Sequence, residues 1–252
     1  MAHFPFQRLQ ADLAVVIGNM SAGSRLPSEP ELARQMGVSR ATLREAMRMF
    51  ETRGLIRRRQ GAGTFVVGQP AIIEGGLEVL ESMLTLARRT GLDVGPGPVT
   101  IEQVDADEES AMALDIAPGA RVVRVSRTML SADRPVAYLV DTLPEQILHA
   151  EELNIKFDGS VLDYLLQRGD PLTISKATIT ATNATAEVGK MLEIQRGDVL
   201  LKFEARLFTA SGKVVDHSFS YFVPGYFNFH IIRRVGEAMN RSVARPRIEN
   251  QE

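Results

Sequence analysis

The chain has 252 residues, 44% hydrophobic and 24% charged, with a formal net charge of -2. At about 150 residues per domain this fits one large domain or two small ones, either able to bury a core without covalent staples. There is no cysteine, which excludes disulfides, thiolate zinc sites, iron–sulfur clusters and cysteine nucleophiles. His3, His149, His217 and His230 have no metal-ligand spacing, so neither a metal nor another cofactor is expected. No apolar run approaches the ~20 residues of a membrane span. The N-terminus lacks the basic start and long apolar stretch of a signal peptide, so a soluble, cytoplasmic protein is expected.

The balanced total hides an asymmetry. Residues 1–70 carry ten basic side chains, all arginine, against five acidic ones, whereas residues 71–252 carry 19 basic and 26 acidic. The head is therefore net +5 and the body net -7. Arginine grips phosphate and guanine edges in bidentate fashion, so a basic head on an acidic body points to nucleic acid at one end.

Leu9, Leu13, Val16 and Ile17 recur at helical spacing over residues 7–18 and predict a first helix. Ser28 with Glu31 forms a capping-box pattern, and Pro30 stands where a missing N–H costs little, so a second helix starts there and ends at Gly37. Ser39 opens a third. Its Leu43, Ala46, Met47 and Phe50 form a buried stripe, while Arg40, Arg44 and Arg48 line another face. Three arginines at that spacing repel one another unless a polyanion is present. Two helices joined by a tight glycine turn describe a helix-turn-helix, whose second helix reads base edges in the major groove. Residues 55–67 then read as two short strands around Gln60-Gly61-Ala62-Gly63, which is a wing.

These residues resemble the winged helix-turn-helix of the GntR family of bacterial transcription regulators. The resemblance rests on L-P-S-E-P-E-L-A, G-V-S-R-A-T-L-R-E-A and G-L-I-R-R-R-Q-G-A-G-T-F-V, in order, over residues 6–67. It implies DNA contacts by Glu29, Ser39, Arg40, Thr42, Arg44, Gln60 and Gly61. Arg48 either contacts phosphate or lies on the solvated surface. Glu29 either accepts from a cytosine amine, favours its helix N-terminus, or orients a nearby arginine. Pro30 stands where some members carry a DNA-contacting arginine.

The body is expected to begin after a linker at 69–75. Leu77, Leu80, Met83, Leu84 and Ala87 form a helical stripe, and residues 91–98 read as loop. The stretch 114–125 then recurs at 192–203, a constant offset of 78 residues that persists to Val136 against Val214. Each copy reads helix, glycine turn, long strand, turn, return strand. Two such units predict one antiparallel sheet with a pseudo-twofold axis, and an α+β domain over 76–235. Residues 173–182 are β-rich, 161–166 suit a short helix, and 236–252 are expected to be a disordered tail.

A head of this kind (1–68) on this body resembles the HutC subfamily, whose second domain is called UTRA and is similar in fold to chorismate lyase. The overall class is α+β: a winged helix-turn-helix joined to an antiparallel sheet domain with helices. The resemblance implies a small-molecule sensor and a homodimer bound to a near-palindromic operator as a repressor. Members that sense phosphorylated amino sugars use two arginines, a serine, a tyrosine and a glutamate. Here Arg127 and Ser160 match, while Met129, Leu162 and Leu139 stand in place of the others. The expected effector therefore has one anionic or polar end and a less charged remainder. Asp216 and Tyr221 are further pocket residues on that resemblance, but they fall on opposite faces of one strand, so one of the two sets faces elsewhere. The competing reading is a lyase-like enzyme with a DNA-binding head, for which Asp216 with His217 or Arg127 is the one candidate cluster. A constitutive DNA binder with no functioning sensor is a third.

Overall fold

Leu9 and Leu13 of α1 (Pro5–Gly18) meet Leu32 of α2 (Glu29–Gln35) and Leu43, Met47 and Phe50 of α3 (Arg40–Thr52), all buried. The computed structural model describes residues 5–67, 73–90, 94–157 and 159–232, and shows the three helices where their apolar periodicity puts them. Each such side chain contributes ~1.5–3 kcal/mol by leaving water. Glu31 accepts the Ser28 N–H at 2.9 Å and the Ser28 hydroxyl at 2.7 Å, which closes the capping box on α2. Ser39 Oγ accepts the Thr42 N–H at 3.1 Å and starts α3. The left-handed turn between the two helices needs Gly37, at φ +66°. The wing is β1 (Ile56–Arg59) paired with β2 (Gly63–Val66), with Arg59 opposite Gly63 and Gln60-Gly61-Ala62 at the tip.

The body opens with β3 (Ile73–Gly76), so the end of the span read as linker is strand. Its start at 69–72 lies outside the described residues. A bend over 77–79 leads to α4 (Met83–Thr90), which is shorter than the apolar stripe from Leu77 predicts. Leu77 and Leu80 belong instead to the wall of a cavity.

The segment read as loop up to Pro98 is a second correction, because β4 (Val94–Asp105) starts at Val94. The chain continues through α5 (Glu108–Leu114), β5 (Arg121–Ser131), β6 (Arg134–Pro144), α6 (Ala150–Lys156) and α7 (Val161–Arg168). It ends with β7 (Leu172–Asn183), α8 (Ala186–Met191), β8 (Val199–Thr209), β9 (Val214–Phe222) and β10 (Phe227–His230). Six strands form one sheet in the order β4-β5-β6-β9-β8-β7, antiparallel at every junction. β10 pairs in parallel with β3. The expected tail at 236–252 lies outside the described residues.

The repeat is a βαββ unit. β4 maps onto β7, and β5 onto β8, at the same offset of 78 residues. Asp107 and Thr185 cap the equivalent helices, and Asp115 and Glu193 are left-handed at φ +55° and +54°. The pseudo-twofold axis passes between β6 and β9, the central pair.

Head and body touch through α3. Arg48 Nη2 meets Asp198 Oδ1 at 3.0 Å. Tyr226, from the loop before β10, lies so close to Gly54 that a Cβ there would overlap its hydroxyl.

Candidate nucleic-acid interface and ligand cavity

The face of the head opposite its core carries the arginines. Arg40 and Arg44 are exposed on α3, and Arg57, Arg58 and Arg59 are exposed on β1. Glu29, at the first position of α2, sits between these two elements. Its Oε2 lies 2.6 Å from Arg44 Nε and its Oε1 lies 3.3 Å from Arg58 Nη2. Of the alternatives for Glu29, the geometry is that of a carboxylate orienting arginines. Two guanidinium groups that repel in isolation are held side by side, one on the helix and one on the wing. Ser39 and Thr42 share a hydroxyl contact of 2.7 Å at the exposed start of α3. Gln60 and Gly61 are exposed at the wing tip.

Arg48 departs from this set. It is partly buried and pairs with Glu45 at 3.2 Å and with Asp198 of the body at 3.0 Å. The i+4, i+8 row of arginines therefore divides, because α3 turns its far end away from the basic face and toward the second unit. Asp198 is the partner that helical spacing within the head does not reveal.

The second site is a cavity of about 740 Å³, walled by the sheet, the 77–84 segment and the start of α7. This is within the usual range for small-molecule sites. Arg127 on β5, Asp141 on β6 and Asp216 on β9 meet on its floor, all buried. Arg127 Nη1 donates to Asp141 Oδ2. Desolvation, and then the neighbouring charge of Asp141, push the Asp216 carboxyl well above the ordinary carboxylate range, with Arg127 opposing. Ser218 and the Thr142 N–H reach this carboxyl. Even so, Asp216 Oδ1, Arg127 Nε and Thr128 Oγ1 are buried with no hydrogen-bond partner in the protein. Such atoms are costly to leave unpaired and are normally satisfied by protein, water or ligand.

Arg127, Ser160 and Asp216, all read from the sequence as pocket residues, line this one cavity. Ser160 Oγ caps α7 by accepting the Asp163 N–H at 3.0 Å. Tyr221 does not line it. The parity of β9 sends Asp216, Ser218, Ser220 and Phe222 to the cavity, and Tyr221 stacks on Tyr138 with ring centroids 6.2 Å apart on the other face. His217 shares that other face, buried beside Phe219. Met129, Leu139 and Leu162 are wall residues, so the apolar share read from the sequence is present. Asp141 was missed. Its signal was available, since the β5–β6 hairpin sets Arg127 opposite Leu139 and carries Asp141 inward on the same parity.

Among the described residues, no histidine–carboxylate cluster is arranged to hold a metal, and no helix is long and apolar enough to cross a membrane.

Comparison with known proteins agrees with this architecture. The model of the bacterial regulatory proteins of the gntR family matches residues 6–66, and that of the UTRA domain matches residues 91–228. The chain is 28% identical over 214 residues to the HTH-type transcriptional repressor NagR of Bacillus subtilis, covering 84% of this chain and 86% of that protein. It is 32% identical over 193 residues to the histidine utilization repressor of Pseudomonas aeruginosa, covering 75% and 74% respectively. The crystal structure of PhnF from Mycobacterium smegmatis superposes with a TM-score of 0.62 at 24% identity, over 90% of this chain and all of that one, which supports the fold. A winged head with an arginine face, a duplicated sheet domain around a cavity, and relatives that are regulators rather than enzymes converge on one assignment: the chain belongs to the GntR family, in its HutC-type branch with a UTRA domain, and is a DNA-binding transcriptional regulator.

Proposed function

We propose that the protein is a cytoplasmic repressor that binds a near-palindromic operator as a homodimer and responds to a small-molecule effector held in the body. The DNA-binding unit is residues 1–68 and the sensing and dimerising unit is 76–235. Arg40 and Arg44 enter the major groove from α3, with Ser39 and Thr42 at its start. The wing tip, Gln60 and Gly61, approaches the backbone. Glu29 holds Arg44 and Arg58 in place. A single head reads few base pairs, so two heads on adjacent half-sites supply the specificity. The outer strands β4 and β7 are each twelve residues long, and β7 exposes Ile174 and Ile179, which suits it to pairing with a second copy.

The observation that carries the sensor reading is the cavity's buried, unpartnered polar atoms on Arg127 and Asp216. β8 walls this cavity, and the turn before β8 supplies Asp198, the partner of Arg48 on α3. A ligand that shifts β8 thus acts on the helix that reads DNA, with coupling typically of 1–3 kcal/mol. The reading is tested by fluorescence anisotropy on promoter DNA beside the gene, with and without metabolites. Salt-sensitive binding altered by at least one compound is expected. Binding that no compound alters, together with a monomer by sedimentation, would overturn it.

A further inference from the structure

Among the described residues, five ionisable side chains line the cavity: Glu78, Glu81, Asp141, Asp216 and one cation, Arg127. Arg127 is already engaged, since its Nη1 donates to Asp141. Glu81 is engaged by Arg89 at 2.8 Å, and Glu78 accepts the Ile232 N–H. Among the described residues, what is left open here is one carboxyl oxygen, Asp216 Oδ1, one N–H, Arg127 Nε, and the hydroxyl of Thr128. A phosphate dianion placed here meets one guanidinium whose charge is already offset by Asp141, and a second carboxyl beside it. Dianions are normally held by two or more charge-assisted donors. An ammonium meets the opposite situation: Asp141 already offsets Arg127, and a cation beside Asp216 stabilises the ionised form that burial disfavours, so the carboxyl gives up its proton and pairs with it in a buried, weakly screened setting.

We propose that the cavity takes an amine: an unphosphorylated small molecule whose ammonium sits on Asp216 and whose hydroxyl or carbonyl oxygen accepts from Arg127 Nε. The hydroxyls of Ser218 and Ser220, on the same face of β9, extend the polar floor to a hydroxylated carbon chain. Leu84, Met129, Leu139 and Phe203 cover its apolar side. This inference rests on the cavity being the effector site. It fixes the charge of the ligand, which the site's location alone does not.

The full-length protein is tested by thermal shift and titration calorimetry with glucosamine, ethanolamine and putrescine at millimolar concentration. Glucosamine 6-phosphate, glucose 6-phosphate and inorganic phosphate form the opposing set. At least one unphosphorylated amine is expected to raise the melting temperature by mass action. The phosphates are expected to do so less or not at all. Asp216→Asn, which keeps shape and cannot ionise to pair with an ammonium, is expected to weaken the amine at least tenfold. As a second variant, Leu139→Lys places an ammonium within the cavity and is expected to block added amines. The amine assignment is overturned if a phosphate binds more tightly than its unphosphorylated counterpart, if no amine stabilises the protein, or if amines bind both variants as they bind the wild type. Ala205→Trp fills the cavity from β8, and amine binding undiminished by it overturns the cavity as the binding place. An amine that binds in the cavity but leaves operator affinity unchanged supports the ligand class and overturns the effector reading alone.

Discussion

Arg48 Nη2 lies 3.0 Å from Asp198 Oδ1, so a side chain of α3 in the head is anchored in the turn that launches β8, 150 residues further along the chain. The pair is partly shielded, with Asp198 only 12% exposed, and is worth about 1 kcal/mol. Arg44→Ala is expected to weaken operator binding by ~1–3 kcal/mol with relaxed base preference, and to lower the slope of log affinity against log salt, since it removes a cation from the DNA-facing side. Arg48→Ala is expected to leave that slope unchanged and to reduce the effector-induced change in operator affinity. The exchange Arg48→Asp with Asp198→Arg should restore it. Anisotropy titrations at several salt concentrations distinguish these outcomes.

Glu29 places a negative charge on a face that meets a polyanion, so simple charge counting predicts tighter binding when it is removed. Its contacts to Arg44 and Arg58 predict the reverse for the specific site, because the two guanidinium groups lose their common anchor. Glu29→Gln should weaken operator binding about fivefold, or ~1 kcal/mol. Binding to random-sequence DNA should be unchanged or tighter. Competition titrations read both quantities.

Asp216 gives a pH signature in the absence of ligand. Its folded carboxyl titrates well above the unfolded one, so between the two values the folded state keeps a proton that the unfolded state has lost. Stability from this group is intact below the unfolded value near pH 4 and falls by about 1.4 kcal/mol per pH unit until the folded value is passed. Asp216→Asn removes that fall. Urea unfolding at a series of pH values should show the variant gaining on the wild type as pH rises from 4 to 7.

Gly54, just past the end of α3, is in the left-handed region at φ +69°, and the hydroxyl end of Tyr226 occupies the place a Cβ would take. Gly54→Ala adds backbone strain and a clash at the contact between head and body, and is expected to cost roughly 2–4 kcal/mol. Tyr226→Ala in the same chain should recover the steric part only. The melting temperatures of the single and double variants check this.

The head was legible because its signals are local. Ser28 with Glu31, Ser39 with Thr42, and the glycines at 37 and 61 each act within a few residues. The body was legible through its repeat, which predicts the sheet and its axis. Its first strand was not. Gly95, Pro96, Gly97 and Pro98 read as loop, yet they lie in β4, an edge strand with a bulge between Pro96 and Val99, where a proline's missing N–H costs no ladder bond. The same offset of 78 residues, carried back from 172–183, would have located it. The parallel pairing of β3 with β10 leaves no periodic trace, because it joins residues about 150 positions apart. The departure of Arg48 from its row is hidden for the same reason. Asp141 escaped notice because its importance comes from a neighbour on the adjacent strand, not from its own segment.

Position 205 is the image of position 127 under the repeat, and both side chains border the same cavity. One is a guanidinium and the other a methyl group. A symmetric cradle would accept a small molecule in two equivalent poses and average its pull over both halves of the sheet. With a guanidinium on one half and only a methyl on the other, the two halves of the cradle are chemically distinct, and one pose of an occupant is favoured over its image. Whatever force it exerts is then delivered unequally to the two halves. Inequality of this kind is what an internally duplicated receptor requires if filling it is to move one half against the other.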